Sequence, residues 1–179
     1  YRVEVDARQV NELPVVTEKF DLIVIAVKSY DTVWAVNTMK PYLAGTGFFV
    51  SPQNSINEEL VAPLVGADRL IGCVSTVSSW LMDAGHVRQT GSMSQAIKGS
   101  VSFTVGELDG RDTSRIRAVQ SLWNCAGETR VSDNLWGERW SKLAINCMAN
   151  PSSGMTGLSS HEVRANPKSR SMMLQFGAE

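Results

Sequence analysis

The chain has 179 residues, 43% hydrophobic and 20% charged, with 17 basic against 18 acidic side chains and a formal net charge of -1. This is a globular balance that argues against disorder and lacks the basic footprint of a nucleic-acid binder. The longest apolar run, Leu22 to Val27, is far short of the ~20 residues that a membrane-spanning helix needs, and no basic start leads into an apolar stretch, so a cytoplasmic protein with a small-molecule partner is expected.

The first residues, Tyr1 to Val5, alternate like a strand. Asp21-Leu-Ile-Val-Ile-Ala-Val27 is a short β-branched run, the pattern of a central strand covered on both faces of a parallel sheet. Val33, Trp34, Val36, Met39 and Leu43 then follow at helical spacing, stopped near Pro41 and Gly45. Gly47 to Ser51 reads as the next strand. Asn57 to Leu64 reads as the next helix, with Glu58 and Glu59 in the first turn, where the macrodipole favours acids. Two strand-helix units in succession predict an α/β sheet.

From Arg69 to Glu107 the texture changes. Leu70 to Val74, Gly85 to Thr90 and Val101 to Val105 are short strand-like pieces that predict an antiparallel extension of the sheet. Asp112 to Ala126 is amphipathic and ends at Gly127, read as a helix C-cap. Ser132 and Asp133 read as N-caps of a long helix from Asn134 to about Asn150, where Pro151 opposes continuation; a loop to Ser160 and a further helix over Glu162 to Phe176 follow. The expected boundary lies near Val131, with a sheet domain over 1–131 and the beginning of an all-helical domain over 132–179. Forty-odd helical residues cannot enclose a core unaided, so the sequence reads as part of a longer chain.

On the long helix Lys142, Asn146 and Asn150 fall at i, i+4 and i+8, drifting only ~40° per step, so they form one polar stripe. Apolar residues cover most of the remaining circumference, which predicts a buried helix whose stripe faces a cleft; a solvent-facing stripe is the alternative. Asn150, before a proline, also suits a helix end. Lys28 follows the first apolar strand, at the carboxyl edge where open α/β sheets bind ligands, and Asn54 follows the next; each alone is explained by a surface lysine or a turn. The histidines, His86 and His161, have no partners at metal-ligand spacing, and no GxSxG elbow is present. The five tryptophans, Trp136 and Trp140 among them, read as core anchors. Cys73, Cys125 and Cys147, odd in number and without CxxC spacing, read as reduced core residues.

Taken together, Asp21-Leu-Ile-Val-Ile-Ala-Val-Lys-Ser-Tyr-Asp-Thr32, Gln53-Asn54, Gly85-His-Val-Arg-Gln-Thr-Gly91 and Trp140-Ser-Lys-Leu-Ala-Ile-Asn-Cys-Met-Ala-Asn-Pro151 resemble the ketopantoate reductase family in residues, order and spacing. The resemblance implies a Rossmann-type domain, incomplete here at its N-terminus, followed by a helical domain with the active site between them. It implies reduction of 2-dehydropantoate to pantoate with NADPH, a step toward pantothenate and coenzyme A. Lys142 would then donate the proton, Asn146, Asn150 and Asn54 would hold the substrate, and Lys28 and Asn54 would contact NADPH, with no metal. A homodimer is left open. Three departures stand out: no GxGxxG precedes the Lys28 strand, the chain ends at Glu179 before the family's later helices, and Ser55 stands where the family commonly has glycine. A reductase of another 2-keto acid, or a member that only binds nucleotide or a partner, are the alternatives.

Overall fold

The computed structural model describes residues 3–89 and 101–178. Three parallel strands lead the sheet: β1 (Phe20–Val24), β2 (Leu43–Ser51) and β3 (Leu70–Ser75), joined by helices α1 (Thr32–Met39) and α2 (Glu58–Val65). After a separate hairpin of β4 (Ser79–Asp83) and β5 (His86–Gln89), β6 (Phe103–Glu107) returns antiparallel to β3. Helix α3 (Ser114–Trp123) then carries the chain over to β7 (Thr129–Val131), parallel to β6. The five-stranded order is β1-β2-β3-β6-β7. Three helices follow: α4 (Leu135–Thr156), α5 (Ser160–Ala165) and α6 (Pro167–Ala178).

Strand alternation builds a core on each face of the sheet. Ile23, Phe49 and Leu70 pack with Ala35, Val36 and Val61 from α1 and α2. Val50, Ile71, Cys73 and Val105 face the other way, onto Ile116 and Val119 of α3. The amphipathic period of α3 and its Thr113 cap, whose side chain accepts from the Ile116 N–H, explain why that helix starts and lies as it does.

Helix α4 reaches the sheet through Leu135, which is buried against Gly72 and Gly106. A Cβ on Gly106 would lie 2.9 Å from Leu135 Cβ and 3.0 Å from the Ser132 carbonyl, so close approach of helix and sheet requires glycine there.

Several sequence expectations are corrected. The described part of the Tyr1 to Val5 stretch forms no strand, and Val3 and Val5 are exposed; Tyr1 lies outside the described residues. The Asp21 to Val27 run is an edge strand among the described residues, not a central one: it pairs only with β2, and its apolar character serves the α1 face while Val24 is exposed. The antiparallel extension holds for β6, whereas His86 to Gln89 pairs with β4 in its own two-stranded sheet; Thr90 and Gly91 lie outside the described residues. Asn134, not Ser132 or Asp133, caps α4, its side chain accepting from the Gly137 N–H at 3.0 Å. The helix also runs through Pro151 to Thr156 and ends on Gly157 in the left-handed region. A proline removes one backbone donor and crowds the preceding turn, costs that a long helix packed on neighbours can absorb. Asn166 and Pro167 divide the last helical stretch into α5 and α6.

Burial also differs. Cys73 is buried but Cys125 and Cys147 are exposed, and Trp34, Trp80 and Trp140 are exposed rather than core anchors. The circumference of α4 is not enclosed among the described residues, with Trp140, Ile145 and Met155 exposed, because the sheet and α5 and α6 take up only part of it.

Candidate active site

The three parallel strands deliver their carboxyl ends to one edge of the sheet, the usual location of ligand sites in open α/β folds. From β1 the chain enters Lys28, Ser29 and Tyr30; from β2 it enters Gln53, Asn54 and Ser55. These six line a cavity of about 520 Å³, within the range of roughly 300–1,000 Å³ typical of small-molecule sites.

The turn after β2 is held from within. The Gln53 side chain, buried, donates to the Val27 carbonyl and to Thr32 Oγ1, both at 2.8 Å, tying the two strand ends together. Asn57 Nδ2 donates to the Asn54 carbonyl at 2.7 Å, and Ser29 Oγ donates to Asn57 Oδ1. Ser55 adopts a positive φ of 73°, the left-handed region that favours glycine, with a side chain present.

Helix α4 brings two cations to this turn. Arg139, 2% exposed, donates through Nε and Nη2 to Glu58 Oε1, through Nη1 to the Gln53 carbonyl at 2.5 Å and through Nη2 to the Ser51 carbonyl at 2.7 Å. Glu58 Oε2 is buried without a hydrogen-bond partner among the described residues, so one carboxylate oxygen carries the whole pairing. One turn further along the helix, Lys142 Nζ donates to Asn54 Oδ1 at 2.7 Å and to the Ser75 carbonyl at the end of β3. Burial, and secondarily the nearby Arg139 charge, push the Lys142 ammonium below the ordinary lysine value.

Lys142 and Asn54 are therefore in direct contact, and Asn54 shares the cavity wall with Lys28, whose ammonium is exposed and has no partner among the described residues. Asn146 and Asn150 continue the stripe along α4, half-buried and exposed respectively, and their side chains have no hydrogen-bond partner among the described residues. Sequence reasoning missed Arg139, the Ser75 carbonyl and the buried role of Glu58, which it read as a first-turn acid. The available signal was an arginine three residues before Lys142, hence on nearly the same helix face. Among the described residues no cluster of His, Cys, Asp and Glu could hold a metal, and no helix is long and apolar enough to cross a membrane.

Comparison with known proteins places the chain in a family. Residues 2–102 match the family described as ketopantoate reductase PanE/ApbA, and residues 134–179 match its C-terminal part. The chain belongs to the ketopantoate reductase family. It is 33% identical over 135 residues to 2-dehydropantoate 2-reductase of Pyrococcus horikoshii, covering 74% of this chain and 41% of that protein. It is 29% identical over 164 residues to the Pyrococcus abyssi enzyme of the same name, covering 90% and 51%. The solved structure of 2-dehydropantoate 2-reductase from Geobacter metallireducens superposes with a TM-score of 0.75 at 25% identity, covering 89% of this chain and 52% of that one. The fold, a mostly parallel sheet followed by the first helices of a helical domain, is that of these reductases. The chain spans about half the length of the curated relatives it matches.

Proposed function

We propose that the protein containing this chain reduces 2-dehydropantoate to pantoate with NADPH, residues 1–131 serving the nucleotide and residues 132–179 opening the helical substrate domain. The observation that carries this reading is the bond from Lys142 Nζ to Asn54 Oδ1, which joins the α4 stripe to the wall of the cavity at the strand ends. A nicotinamide nucleotide suits that wall, because an exposed ammonium, Lys28, without a partner among the described residues, and a carboxamide, Asn54, flank a cavity of suitable size. When bound, the reduced nicotinamide supplies the hydride.

The chain's own residues do the rest. An ammonium has three N–H donors, and Lys142 spends two on Asn54 and Ser75. The third is free to meet the ketone oxygen, stabilise the negative charge that grows there and deliver the proton. Asn146 and Asn150, one and two turns along α4, supply amides for the substrate's hydroxyl and carboxylate groups.

The test is Lys142→Ala in the full-length protein, with NADPH oxidation followed in the presence of 2-dehydropantoate. The expected result is a fall in kcat of about 10²–10⁴-fold with NADPH affinity nearly unchanged, since the lost interaction strengthens mainly in the transition state. Unchanged turnover would overturn the assignment. A second reading keeps the chemistry and changes the substrate. D-mandelate dehydrogenase, solved with NADH, shares the fold with a TM-score of 0.74 at 14% identity, and fold alone does not select a 2-keto acid. A panel of branched and aromatic 2-keto acids separates the two.

A further inference from the structure

We propose that Arg139 is a positioning residue for Lys142, its guanidinium fixing helix α4 against the turn after β2 so that the ammonium of Lys142 and the carboxamide of Asn54 meet. The inference rests on the proposed role of Lys142. It adds a residue that makes no contact with substrate or cofactor.

The geometry is a closed ring. Arg139 grips the carbonyls of Ser51 and Gln53, one on each side of Pro52, and Asn54 is the next residue. Lys142 lies three residues further along α4 and bonds Asn54. The helix closes the ring on one side and the turn on the other, so a shift of α4 along or about its axis breaks the backbone bonds and the Lys142 contact together. Gln53 extends the same brace to the Val27 carbonyl, next to Lys28.

Stability is a poor reason for this arrangement. A fully buried arginine and carboxylate pay a desolvation cost that their attraction roughly repays, and well-packed apolar replacements are often neutral or stabilising. What an apolar pair cannot supply is the directional fork that reads two carbonyls at once. The guanidinium also leaves a fixed positive charge near Lys142. The titratable groups around the Lys142 ammonium are Arg139 on its own helix, Cys73 on β3 and, behind Arg139, Glu58 on α2; the loop supplying Asn54 brings none.

The experiment compares three variants of the full-length protein: Glu58→Met/Arg139→Met, Arg139→Lys and Lys142→Ala. Melting temperature, NADPH affinity and the kcat and KM for the 2-keto acid are read for all three, and the ¹⁵Nζ titration of Lys142 without ligands for the native protein and the two Arg139 variants. For the paired apolar variant the expected result is a folded protein with a lowered melting temperature, because the Ser51 and Gln53 carbonyls lose their donor, near-native cofactor affinity, a kcat lowered about 10–100-fold, as for a reacting group displaced by an ångström, and a Lys142 titration moved to higher pH. Arg139→Lys keeps the charge and loses the fork, so kcat falls while the titration stays. Native kcat in both Arg139 variants overturns the proposal, and so does loss of the folded state in both, which would make Arg139 structural only. Native turnover in Lys142→Ala instead refutes the reading of Lys142 itself, a separate outcome.

Discussion

The ammonium of Lys142 works under opposed demands. Its burial disfavours the charged form, and Arg139 adds repulsion, so its proton is held less tightly than that of an ordinary lysine. As the proposed proton donor, Lys142 must be charged, so activity is expected below its folded-state pKa and should be lost as pH rises through it. The alkaline limb of the kcat profile is therefore expected at lower pH than a free lysine would give, and it should move in Arg139 variants that remove the charge. Stability runs the other way. Between the folded and unfolded pKa the unfolded chain binds more protons, so stability rises with pH across that window, and denaturant titrations of Lys142→Met should show this rise abolished. The thiols divide just as sharply. Burial pushes Cys73 up to about 12, whereas Cys125 and Cys147 are exposed. Ellman's reagent should label two of the three thiols rapidly in the native protein and Cys73 only on unfolding. Nothing in the residue list separated these cysteines beforehand, because all three sit in apolar segments and burial depends on which helix faces are covered.

At the scale of elements, short apolar runs marked β1, β2, β3 and β6, and the 3.6 period marked α1, α2 and α3, although the helical spacing read through Leu43 is cut short: α1 ends at Met39 and Leu43 opens β2. Where a rule of local punctuation met tertiary packing, packing won. Pro151 and the serines after it suggested a loop, yet α4 continues to Thr156, with Ser152 buried and its hydroxyl donating to the Met148 carbonyl at 3.0 Å. The docking of α4 is most sensitive at its start. Gly106→Ala places a methyl group against Leu135 and the Ser132 backbone, neither of which can turn aside cheaply, and is expected to destabilise the protein by about 1–3 kcal/mol. Because the helix carries Arg139 and Lys142, activity should fall more steeply than the stability loss alone accounts for; thermal denaturation and kcat of the same preparation check both.

For the whole molecule, the candidate site was legible where strand ends and a helix stripe marked Lys28, Asn54 and Lys142, and opaque where only proximity joined residues. Lys142, Asn146, Asn150, Lys28 and Asn54 were visible as polar residues at a helix stripe and at strand ends. Arg139 and Glu58 were not, since a pair separated by 81 residues leaves no periodic trace in either segment. The same separation has a kinetic side. The two bonds of Lys142 span 88 and 67 residues, and those of Arg139 reach back as far as 88. Loop closure over such distances is opposed by chain entropy until the intervening strands have paired. The strand ends that carry Lys28 and Asn54 can be assembled once β1 to β3 have paired, but the cleft acquires Lys142, its proposed acid, only when α4 has been synthesised and docked. Completion of the candidate site is thus expected to be a late event, and a slow refolding phase should report the arrival of α4.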